Sequence, residues 1–182
     1  MKNESHKSMK EKIKQLENLK KKIIKETKEK VWFYSEEYEE YNNLALKYGI
    51  KGWFGTQDIF FIGSNPSENP SKDPPNVNFF FKELRANNFQ NAHLTDLVKI
   101  RVKNTEADKI IEKNLKEQKK YLDKEIEILK PKLIVVMGKK CEKFTERLGY
   151  KNCHTIAHYA ARFHKKRFRK EMKDVKKKYG EL

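Results

Sequence analysis

With 182 residues the chain can bury one substantial core but not two ordinary ones, and its 11 Phe, 8 Tyr and 2 Trp exclude wholesale disorder although 37% of residues are charged. The longest apolar runs, residues 59–62 and 133–137, fall far short of the roughly 20 residues a membrane span needs, which excludes a transmembrane helix. The net charge of +16 is uneven: residues 1–30 carry +6, residues 162–182 carry +7, and the body between them only +3. Basic ends on a nearly balanced body suit a polyanion, nucleic acid first, because each Lys or Arg near a phosphate releases a condensed counterion. A Lys- and Glu-rich surface is equally what solvation or adaptation to heat would produce.

Met9, Ile13, Leu16, Leu19, Ile23 and Ile24 recur at spacings of three and four, which predicts an amphipathic helix over residues 8–30. Ser35 can cap a second helix with Tyr38, Tyr41, Leu44, Ala45 and Tyr48 on its buried face and Gly49 as its stop. Residues 58–63 (DIFFIG) read as a first strand covered on both faces. Residues 64–78 hold four of the five prolines and form an irregular loop at its carboxyl end. A helix over 79–87, a strand over 93–98, a long helix over 108–129 and a third strand over 132–138 follow, with Pro131 between that helix and strand. The pattern closes with a helix over 139–148, a short strand over 153–157 and a basic helix over 159–179.

Strands alternating with helices predict an α/β fold, a three-layer α/β/α sandwich around a four-stranded parallel sheet. Residues 1–50 would be a helical extension packed on a domain of residues 51–182. Ligands of such sheets sit beyond the carboxyl ends of the strands. There the chain has residues 64–67, 96–101, 138–140 and His158 onward, a polar, basic, histidine-bearing set.

No phosphate-cradling GK[ST] loop, GxGxxG or GxSxG elbow is present, which speaks against ATP, dinucleotide and serine-hydrolase chemistry. His154 and His158 are four apart, a zinc spacing only on a helix, and they fall on a predicted strand. Cys141 and Cys153 are too few for a tetracysteine site. Neither metal nor cofactor is expected. The charged N-terminus lacks a secretory signal pattern, which predicts a cytoplasmic protein with reduced thiols.

What remains is Gly63-Ser64-Asn65-Pro66-Ser67 directly after a buried strand and a histidine just after the last strand of the same sheet. Together with TDLVK on the second strand and LKPKLIVVMG on the third, this order over residues 58–167 resembles the uracil-DNA glycosylase superfamily, in its GxNP[GS] branch and without the iron-sulfur cysteines of other branches. The resemblance implies a base-excision repair enzyme that flips a damaged or deaminated base from DNA and hydrolyses its N-glycosidic bond, monofunctionally and as a monomer. Asn65 would orient the attacking water and His158 would donate to the departing pyrimidine O2. An oxocarbenium-like sugar reacts readily with neutral water, so an amide that orients and stabilises can suffice. Gly63, Ser64, Pro66 and Ser67 would shape the base pocket, and Phe79 would stack on the base. Lys99, Arg162, Lys165, Lys166 and Arg167 would contact nucleic acid, Arg162 where relatives wedge into the base stack.

Two departures bear on activity. The family continues His-Pro-Ser, whereas this chain reads His158-Tyr159-Ala160-Ala161-Arg162. The family often places an asparagine on the second strand to pair with the uracil edge, and this chain has Asp96. An ionised carboxylate only accepts, so it would face the O4 carbonyl as a like-charged acceptor. Three readings follow: Asp96 is protonated, or the base presents a donor there, or Asp96 anchors the loop. The rival functions are a catalytically inactive nucleic-acid binding module on the same fold and a hydrolase or transferase of free nucleosides.

Overall fold

The computed structural model describes residues 2–34, 39–66, 74–101, 106–161 and 164–182. Its elements in chain order are α1 (Lys2–Glu26), α2 (Glu39–Tyr48), β1 (Gln57–Gly63), α3 (Pro74–Ala86), β2 (Ala92–Asp96), α4 (Ala107–Leu129), β3 (Leu133–Met137), α5 (Lys139–Arg147), β4 (His154–Ile156) and α6 (Lys165–Gly180), with a 3-10 turn at Gly52–Phe54 before β1. The four strands form one parallel sheet in the order β2-β1-β3-β4. Strands β1 and β3 are central and covered on both sides, which is why both read as near-continuous apolar runs.

Alternate residues of these strands feed two cores. Ile59 and Phe61 of β1 with Leu133, Val135 and Met137 of β3 pack beneath α2, α3 and α6, through residues such as Ala45, Phe80, Phe168 and Met172. Phe60, Ile62 and Val136 face the other way, onto α1, α4 and α5, through Leu16, Ile23, Ile111, Leu122 and Phe144. The fold is therefore the three-layer α/β/α sandwich. The two basic end helices, α1 and α6, lie on opposite faces of the sheet. No helix among the described residues is long and apolar enough to cross a membrane.

Several boundaries differ from the expected ones. Helix α3 starts at Pro74, earlier than residue 79, because prolines fit a first helical turn, whose amides have no intrahelical acceptor. Helix α1 ends at Glu26 rather than 30, and β2 ends at Asp96 rather than 98. Helix α6 starts at Lys165 rather than 159. Residues 157–161 instead make a turn in which Ala161 N–H donates to His158 O, and His164 N–H donates to Ala161 O; these bonds hold His158 at the sheet edge. The predicted cap Ser35 and the buried Tyr38 lie outside the described residues. Helix α2 ends at Gly49, whose φ of 71° is the left-handed conformation expected there.

The stretch after α1 is tied across the carboxyl edge of β2. Val31 bridges Ile100, and Trp32 N–H donates to Lys99 O at 2.9 Å, while Trp53 N–H donates to Tyr34 O at 3.2 Å. These bonds bring Tyr34 over the end of β1.

Candidate active site

A cavity of about 420 Å³ lies beyond the carboxyl ends of β1, β2 and β3, within the size range of small-ligand sites. Asn65, Asp96 and His158 all line it, although they come from three separate loops and strand ends. Ser64 and Pro66 line it as well, while Gly63 forms the end of β1 beneath Asp96.

Asn65 is held by its neighbours. Its Nδ2 donates to Pro66 O at 3.0 Å and its Oδ1 accepts from the Ser64 hydroxyl at 3.1 Å. The amide orientation is thereby fixed, and an amide oxygen has a second lone pair with which to accept from water.

His158 is oriented in two ways. Ala160 N–H donates to its Nδ1 at 3.2 Å. A ring nitrogen that accepts carries no proton, so in this arrangement the proton sits on Nε2, making that atom the donor. The ring also stacks on Tyr159 at 4.5 Å and 24°, and Tyr159 stacks on Phe80 at 4.6 Å and 6°. Phe80 is fully buried, so the column roots the imidazole in the core. Gly138 completes the arrangement: it has φ of 90°, and a Cβ there would lie 3.2 Å from His158 Cβ. Only glycine combines that backbone with that approach.

Asp96 stands opposite Gly63 in the β1–β2 register and is 3% exposed. Among the described residues its Oδ1 has no hydrogen-bond partner. A Cβ on Gly63 would lie 2.3 Å from that oxygen and 3.1 Å from the Tyr34 hydroxyl, so the missing side chain of Gly63 is the space the carboxyl occupies. Burial pushes the Asp96 carboxyl up to about 7. The Lys99 ammonium counteracts this in part and the Glu125 carboxylate adds to it.

Two expected roles are corrected. Lys99 does not reach nucleic acid: it is 1% exposed, pairs with Glu125 Oε1 at 2.7 Å and donates to Asp96 O at 3.0 Å. A carboxylate reaching in from α4 makes burial of its ammonium tolerable. Phe79 does not face the cavity. It is 6% exposed, packs on Phe168 at 5.6 Å, and carries Lys165 and Arg169 of α6 over its ring. Phe81, two residues on and turned by about 200° around the helix, lines the cavity instead.

Lys165, Lys166 and Arg167 are exposed at the start of α6, with Arg167 paired to Glu171 at 2.6 Å. Arg167 and His164 border a second cavity that shares Gly138, Lys139 and His158 with the first, so this basic corner adjoins the site. Ser67 and Arg162 lie outside the described residues. Sequence reasoning missed the walls that Tyr34 and Tyr41 contribute from the N-terminal extension. The aromatic run Trp32-Phe33-Tyr34 was the trace of Tyr34 in the sequence, and Tyr41 was read there only as part of a buried helix face. Among the described residues no group of three or more His, Cys, Asp or Glu could hold a metal ion.

None of the curated proteins compared with the chain matches it. The family model described as the Uracil DNA glycosylase superfamily matches residues 54–179, well over half of the chain and every strand of the sheet. Members of that superfamily are glycosylases that act on DNA. The chain belongs to the Uracil DNA glycosylase superfamily.

Proposed function

We propose that the protein is a monofunctional DNA glycosylase of base-excision repair that extrudes a deaminated base into the cavity and hydrolyses its N-glycosidic bond. The observation that carries this reading is the convergence of an oriented amide, Asn65, and an Nε2–H imidazole, His158, on one cavity. As the glycosidic bond breaks, positive charge grows on the sugar and negative charge on the base. His158 Nε2–H donates to an oxygen of the departing base, and Asn65 Oδ1 accepts from the water that attacks the sugar carbon. The water loses its proton only after attack, so no strong base is needed. The aromatic walls of Phe81, Tyr34 and Tyr41 take the faces of the extruded base. The basic corner of Lys165, Lys166 and Arg167 contacts the backbone.

Duplex oligonucleotides carrying uracil, hypoxanthine, xanthine or mismatched thymine test the reading. One of them is expected to yield alkali-labile abasic sites, and Asn65→Ala to lower the single-turnover rate on it by about 10²–10³ while binding persists. Binding without cleavage of any lesion, single strands included, would instead make the chain a nucleic-acid binding module.

A further inference from the structure

A buried carboxyl on the wall of a ligand cavity, with one oxygen that has no hydrogen-bond partner among the described residues, needs a reason. Asp96 with its Oδ1 is such a group. The cation closest to hand is already used: Lys99 Nζ donates to the main-chain oxygen of Asp96 and pairs with Glu125 Oε1. Among the described residues the other charged or titratable groups around it are Glu125 of α4, held ionised by Lys99 and by His93 at 3.0 Å, the phenols of Tyr34 and Tyr41, Lys139 and Lys140 of α5, the buried Cys141 thiol, and His158 beyond β4. Lys139 and Lys140 are exposed, and Lys140 pairs with Asp108. Among the described residues no hydrogen bond compensates an ionised Oδ1, whereas a protonated carboxyl carries no charge to compensate and has an O–H to donate at the cavity wall.

We infer that Asp96 acts as a neutral acid whose hydroxyl donates to a ring carbonyl of the bound base, selecting uracil- or hypoxanthine-type bases and losing that preference when it ionises. The inference rests on the glycosylase reading for the identity of the ligand. It differs from an amide at the same place in one measurable respect. An amide donates at every pH, while the acid donates only below its own ionisation, which burial places at about 7. Once ionised, the carboxylate opposes the carbonyl oxygen acceptor to acceptor, and a buried mismatch of that kind is worth roughly ten- to a hundredfold in affinity.

The experiment is a pH series of kcat/KM from 5.5 to 9 on uracil and hypoxanthine duplexes, for the wild-type chain and Asp96→Asn, with the Asp96 carboxyl carbon followed by NMR with and without free uracil. Wild-type kcat/KM is expected to fall about tenfold per pH unit above 7 until the mismatch is fully expressed, and Asp96→Asn to hold level over that range. The carboxyl carbon is expected to titrate near 7 and to move upward when uracil binds. Identical profiles in the two chains would overturn the inference and leave the glycosylase reading intact. If neither these duplexes nor the other lesions of the panel are cleaved, that reading fails on its own, and the NMR titration still decides: a midpoint near 4, or one that free uracil does not move, removes the donor role.

Discussion

Strand β2 carries two buried titratable groups three residues apart, and their surroundings could hardly differ more. At its start, His93 meets Glu125 at 3.0 Å, and Glu125 meets Lys99 at 2.7 Å, all three side chains out of water. Burial alone would raise the Glu125 carboxyl, yet Lys99 and His93 together bring it below the usual carboxylate range. At the end of the strand Asp96 is equally buried, Lys99 spends its protons elsewhere, and the carboxyl is raised to about 7. One carboxylate is compensated inside the protein and serves the fold. The other is left uncompensated on the wall of the cavity, where we infer that it donates to a bound base. Compensation, rather than burial, separates the structural acid from the one inferred to bind.

Removing the compensation should have the largest effect. Glu125→Ala leaves the Lys99 ammonium buried without a counter-charge, and the expected cost is about 3–5 kcal/mol in a urea titration at pH 7. A loss under 1 kcal/mol would mean that water already reaches the cluster.

The converse change at Asp96 should help the fold. Its folded-state pKa of about 7 lies above the unfolded value of 3.8, so between those limits the native state holds a proton that the unfolded state has released. Stability contributed by this group is therefore complete below pH 3.8 and drains away as pH rises to about 7. Asp96→Asn, neutral throughout, is expected to be more stable than wild type by about 2–4 kcal/mol at pH 8, with the gap closing as pH falls toward 4. A gap that does not change with pH would contradict the burial account.

The smallest effect separates buried from exposed lysines. Lys166→Ala is expected to reduce the salt slope of duplex binding by about one, and Lys99→Met to leave that slope unchanged while lowering stability. A lowered slope in Lys99→Met would restore the nucleic-acid contact that its burial excludes.

The sequence made the sheet legible because β1 and β3 are covered on both faces, and such strands must be apolar at every position. The placement of Asn65 and His158 was legible for a topological reason: both follow strands of one parallel sheet, and carboxyl ends of parallel strands share an edge. Lys99 was misread because a lysine is exposed unless paired, and its partner Glu125 sits on a helix whose docking no local pattern encodes. The choice between Phe79 and Phe81 turned on the rotation of α3 about its own axis, which is set by its contacts with α6 rather than by an aromatic triplet. Tyr34 escaped for a similar reason, since the bonds from Trp32 and Trp53 that place it join distant parts of the chain.

The central claim is that Asn65 and His158 act on one base in one cavity. The most direct measurement is a crystal structure of the Asn65→Ala chain bound to a duplex carrying the lesion that the wild type cleaves. The account predicts the base extruded among Phe81, Tyr34 and Tyr41, with an oxygen at hydrogen-bond distance, about 2.7–3.1 Å, from His158 Nε2. A base left stacked in the duplex, or seated where His158 cannot reach it, would contradict the account.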